Sequence, residues 1–157
     1  MPYAPFYSKF PKTAVAETRA ITVFDHPDLP PGDYGFLELF CDEPGCDCRR
    51  VMFNIQIPES PNPLAVVAFG WESRDFYVKW FGEDDPEIIR ELQGPGLNIT
   101  SAQFSLAPAL LEATIGLLAD EAYVERIKRH YAMFRQEVEK DTRKKRRNRP
   151  RKPKRKR

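Results

Sequence analysis

The chain has 157 residues, 41 % of them hydrophobic, with a formal net charge of +2. That length fits one domain, and a body of about 140 residues buries roughly two-thirds of its unfolded surface without disulfide staples. No apolar run approaches the roughly 18 residues of a membrane span, and Met1-Pro2-Tyr3-Ala4-Pro5-Phe6 lacks the charged and apolar regions of a secretory signal, so a cytoplasmic protein is expected.

In chain order, the Pro-rich residues 1–18 read as an extended lead-in, and Ala20-Ile21-Thr22-Val23-Phe24 as a short strand. Residues 25–33, dense in Asp, Pro and Gly, form a loop. Tyr34 to Cys41 reads as a strand with Leu37, Leu39 and Cys41 on one face and Phe36, Glu38 and Phe40 on the other. Cys48 to Ile57 alternates more cleanly, with Val51, Phe53, Ile55 and Ile57 opposite Arg50, Met52, Asn54 and Gln56. Between these runs Glu43-Pro44-Gly45 suits a type II turn, since Pro fixes φ near −65° and Gly accepts positive φ. An antiparallel hairpin with cysteines at its tip follows. Leu64 to Trp71 is apolar on both faces and reads as a central strand; Phe76, Val78 and Trp80 alternate with Tyr77 and Lys79 and read as a second hairpin arm.

After Gly82 the period lengthens. Asp84 or Asp85 can cap a helix with Pro86 at its first position and Ile88, Ile89 and Leu92 on its apolar face; Gly94-Pro95-Gly96 ends it. A second helix is expected from about Leu106 to Leu118. A third runs from an Asp120 cap to about Lys140, with a stripe of Tyr123, Ile127, Tyr131, Phe134 and Val138. Strands first and helices after predict an α+β fold: an antiparallel sheet of four to five strands covered by C-terminal helices. Residues 1–141 form the expected single domain.

All three cysteines fall in eight residues, as Cys41-x4-Cys46-x-Cys48. In a reducing compartment such a cluster points to a metal site more than to disulfides. Zinc prefers four tetrahedral Cys or His ligands. Three thiolates leave one place, for which His130 is the leading candidate because it sits at the edge of the last helix's apolar stripe; His26, Asp47 or water are the others. A structural zinc ion is therefore the expected cofactor. Unliganded buried thiols or a redox pair are the competing readings. Arg49 and Arg50 read as solvent-facing strand residues paired with Asp42, Glu43 or Asp47, although beside a redox pair they would lower thiol pKa values. Tyr34-Gly35-Phe36-Leu37-Glu38-Leu39-Phe40-Cys41 followed by Cys46-Asp47-Cys48-Arg49-Arg50-Val51 resembles a group of uncharacterised bacterial proteins with a similar Cys-Asp-Cys-Arg-Arg segment. The resemblance covers some 20 residues and implies only that the cysteines act as a unit.

No catalytic signature stands out. The zinc deaminase pattern needs His-x-Glu with Pro-Cys-x-x-Cys, and neither that nor His-Glu-x-x-His is present. Gly94-Pro95-Gly96 lacks the Lys-Ser/Thr of a phosphate-binding loop. Glu83, Asp84, Asp85 and Glu87 are accounted for by helix capping, and Asn98-Ile99-Thr100 is a chance sequon on a chain that is not secreted.

The net charge hides a split. Residues 142–157 hold twelve Lys or Arg and no acid, leaving thirteen bases against 23 acids elsewhere, a body of −10. The segment has no apolar residue to join a core and two prolines, so it is expected to be disordered. Arg143, Lys144, Lys145, Arg146, Arg147, Arg149, Arg151 and Lys152 are its candidate contacts to nucleic acid or another polyanion, largely independent of base sequence because no aromatic is interleaved. The expected function is a small non-catalytic zinc domain contacting nucleic acid through this tail. The alternatives are a thiol redox enzyme using Cys46 and Cys48, or an adaptor whose acidic body meets a basic partner.

Overall fold

A computed structural model describes residues 2–151. Its strands are β1 (Tyr3–Pro5), β2 (Ala20–Val23), β3 (Gly32–Cys41), β4 (Arg50–Gln56), β5 (Ala65–Gly70) and β6 (Gly96–Leu97). Its helices are α1 (Pro11–Glu17), α2 (Arg74–Phe81), α3 (Pro86–Gln93), α4 (Ala107–Leu118) and α5 (Glu121–Arg147). The sheet is antiparallel throughout, in the order β1-β3-β4-β5-β6. β2 also pairs with β3, at the end away from β1: Ala20 faces Gly35, whereas Tyr3 faces Cys41. The protein is an α+β fold, as the element order predicts. Among the described residues no helix is long and apolar enough to cross a membrane.

The β3–β4 hairpin forms as the alternation requires. Phe36 and Phe40 of β3 and Val51, Phe53 and Ile55 of β4 are buried on one face, under the α5 stripe of Tyr123, Ile127, Tyr131, Phe134 and Val138. Each such side chain contributes about 1.5–3 kcal/mol on burial, so this seam dominates the core. The Asp120 carboxylate accepts from Ala122 N–H and starts α5; Asp85 accepts from Glu87 and Ile88 N–H and starts α3, with Pro86 at its first position.

Four expectations are corrected. Residues 76–80 are helical: the Ser73 hydroxyl caps α2 by accepting from Phe76 N–H, and Gly82, at φ 91°, ends it. Five alternating residues cannot separate strand from short helix, and the cap decides. The N-terminal lead-in is ordered into β1 and α1. Arg50 does not face solvent; it is buried, with its guanidinium donating to the carbonyls of Leu92 and Glu91 and to the Tyr3 hydroxyl. Finally, α5 does not stop near Lys140 but continues to Arg147, so the first six residues of the expected disordered tail are helical. Basic side chains in a last turn complement the negative end of the helix dipole.

Candidate metal centre

β3 delivers Cys41 at its last residue, and β4 begins at Arg50, two residues after Cys48. The intervening turn closes through Cys46 N–H to the Glu43 carbonyl, 3.3 Å, with Gly45 at φ 74°. The Sγ atoms of Cys41, Cys46 and Cys48 come to lie within 4.8 Å of one another. Cys41 and Cys48 are fully buried in the main core, while Cys46 is partly exposed. Three sulfurs at this separation can ligate one ion.

The neighbours hold this geometry rigidly. Arg49 adopts φ 48°, a left-handed conformation that non-glycine residues rarely take. Its backbone is gripped from both sides: Arg49 N–H donates to the Tyr131 hydroxyl (3.1 Å), and its carbonyl accepts from the Tyr77 hydroxyl (2.8 Å). Its guanidinium is held by Asp47 (2.9 Å) and Glu72 (3.3 Å) and lies over the Phe76 ring. The expected Arg49–Asp47 pair is therefore present. From α5, Arg135 donates to the Cys41 carbonyl (2.8 Å), and Glu139 accepts from Gly45 N–H (2.7 Å) while pairing with Arg135 (2.8 Å). From the chain's start, the Pro2 carbonyl accepts from Asp42 N–H, and the Tyr3 hydroxyl reaches the Cys48 thiol.

The thiols share their protons unequally. A hydrogen bond from Cys48 is the main cause that draws the Cys41 pKa down to about 6, against the effect of its burial. The Cys48 thiol is pushed up, chiefly by donating that bond and then by burial; Cys46 is raised by burial and by the charge on Cys41.

His130 is not part of this cluster. It is fully buried, its Nδ1 lies 2.8 Å from Glu38 Oε1 and its Nε2 3.1 Å from Glu17 Oε2, and its ring stacks on Phe6 at 4.3 Å. A carboxylate at each nitrogen makes the doubly protonated imidazolium the form that satisfies both, and an imidazolium has no lone pair for a metal. Burial works against the charge, but the two carboxylates outweigh it and leave the His130 pKa raised. His26 is also committed, its Nδ1 accepting from Asp28 and Leu29 N–H. Asp47 is engaged by Arg49 and by the Tyr131 hydroxyl. Among the described residues, no fourth His, Cys, Asp or Glu joins the three sulfurs within the same distance.

Sequence reasoning missed Glu38 and Glu17. The signal for Glu38 was present: an acid in phase with Phe36 and Phe40 on the core face of a strand.

The basic candidates Arg143 to Arg147 occupy the last turns of α5 and are exposed; Arg149 and Arg151 follow the helix, also exposed, and Lys152 lies outside the described residues. Lys145, Arg146 and Arg149 share a hollow of about 900 Å³ with Lys9 and with Asp42, Glu43 and Pro44 of the cysteine turn. No family model, curated protein or solved structure matches the chain.

Proposed function

We propose that the protein is a non-catalytic, zinc-stabilised α+β domain that contacts nucleic acid through its basic C-terminal segment. The carrying observation is the convergence of Cys41, Cys46 and Cys48 at a turn tied by Glu139 and Arg135 to α5, the helix that carries the basic residues outward. Two of the sulfurs lie inside the main core, so an ion held there adds its binding energy to folding. Zinc fits a thiolate-rich donor set in a buried site. Twelve bases in sixteen residues, with no acid among them, exceed what a helix dipole calls for and match a phosphate backbone. The thiol redox reading, built on Cys46 and Cys48, is less well served, because Cys48 is sealed in the core and the pKa of both thiols is raised.

Elemental analysis of the purified protein is expected to give one zinc per chain, lost in Cys48→Ser. Binding to a mixed-sequence RNA or DNA duplex should fall steeply with salt; with six phosphates neutralised, affinity drops by about 10³ between 50 and 200 mM salt. A full-length variant with glutamine at Arg143, Lys144, Lys145, Arg146, Arg147, Arg149, Arg151 and Lys152 should lose most of that dependence. Equal binding by the variant removes the tail from the proposal, and a chain that neither carries nor takes up zinc removes the centre.

A further inference from the structure

We infer that the ion's fourth coordination position opens on the Cys46 side and takes an external thiolate, a small soft anionic donor. This rests on the reading that the three cysteines hold a metal, and extends it.

The donor count comes first. A thiophilic divalent ion prefers four ligands, and the described residues supply three. Each alternative donor has another partner: His130 has two carboxylates, His26 has two backbone amides, and Asp47 has Arg49 and Tyr131.

The burial of the three sulfurs is asymmetric. Cys41 and Cys48 are sealed in the core, whereas Cys46 is partly exposed and lines a hollow of about 330 Å³ with Gly45, Tyr131, Arg135 and Arg143. That volume suits a small organic ligand. The Tyr131 ring offers a wall for its carbon skeleton.

Charge and softness both bear on the choice of donor. Three thiolates on a divalent ion carry −1. The hollow is lined by the cations Arg135 and Arg143 and by the acids Asp47 and Glu139, so its own charges cancel. The lining therefore adds no net negative charge against a further anion, and the softness of the donor decides. A centre already bearing three sulfurs favours a fourth soft donor over a hard oxygen. The exchange is a ligand substitution: bound water leaves with its lone pair, the incoming thiol gives its proton to solvent as its sulfur bonds to the metal, and nothing is oxidised or reduced. The internal rival is the Tyr3 hydroxyl, which reaches Cys48 from the β1 side and is itself held by Arg50.

The test uses the full chain loaded with Co²⁺, its cobalt content measured, and titrated with 2-mercaptoethanol while the visible spectrum is recorded. The expected result is a saturable change in which sulfur-to-cobalt charge-transfer absorbance rises by about one-third, as three sulfurs become four around a tetrahedral ion. Tyr3→Phe should show the same saturable rise, since the phenol does not fill the position. One cobalt per chain with no response to the thiol, cobalt stripped without a saturable intermediate, or a response to the thiol that appears only in Tyr3→Phe each overturns the open position while leaving the metal centre standing. Failure to bind cobalt at all overturns both.

Discussion

Replacing His130 by leucine removes the positive member of a buried charged group and leaves its partners in place. The Glu38 side chain is 1 % exposed, one of its oxygens is bonded to His130, and the other has no hydrogen-bond donor among the described residues. The substitution strands a carboxylate in the core, and breaking a buried pair from one side costs about 3–5 kcal/mol. Loss of the Phe6 stack adds about 0.5–1.5 kcal/mol. Against the ~5–15 kcal/mol by which domains are stable, His130→Leu should remove about a quarter or more of the total. The melting point should fall by about 7–26 °C, at about 2–4 °C per kcal/mol for a chain of this size. The double variant Glu38→Leu with His130→Leu should recover most of the loss, because apolar groups of similar volume replace a buried ion pair at little cost. Urea unfolding followed by tryptophan fluorescence measures this, with zinc held saturating so that metal linkage does not enter. Zinc content should stay at the wild-type value in both variants. A loss below about 1 kcal/mol, or a fall in zinc content with His130→Leu, would refute the reasoning, the latter by returning the imidazole to the metal.

The same triad sets a pH dependence. The folded pKa of His130 is raised, so its stabilisation is complete below the unfolded value of 6.5 and is lost as pH rises through the folded value. Glu17, held down to about 2 by Arg129 and His130, contributes above 4.5 and loses that contribution as pH falls towards 2. The stability difference between wild type and His130→Leu should therefore plateau between about pH 4.5 and 6.5 and shrink at higher pH; a flat profile in denaturant titrations contradicts it. Gly70→Ala should cost about 1–3 kcal/mol by crowding, since the added carbon meets the Tyr77 hydroxyl and lies 2.5 Å from the Leu92 carbonyl. Tyr77→Phe should not rescue it, because that carbonyl is backbone held by Arg50.

The hairpin, its cysteine tip, the caps at Asp85 and Asp120 and the α5 stripe were all legible, because each is a local pattern of a few residues with one physical solution. The helix at Arg74–Phe81 was misread because Ser73 outweighs a period of two that lasts only five residues. β1 was hidden by its prolines, which an edge strand tolerates and a central strand does not. His130 shows the limit most clearly. Its place on the buried stripe was visible, and so was an acid in phase on β3, but these two residues lie 92 positions apart and no short spacing joins them. With three thiols short of a fourth donor, the imidazole reads as a ligand; the fold gives it to two carboxylates.

The unequal exposure of the three sulfurs gives the protein a built-in clock. A bulky alkylating reagent meets Cys46 on the intact molecule, but reaches Cys41 and Cys48 only when the packing around Phe40, Val51 and Phe134 comes apart. Singly labelled chains then count intact molecules, and triply labelled ones record how often the interior has opened.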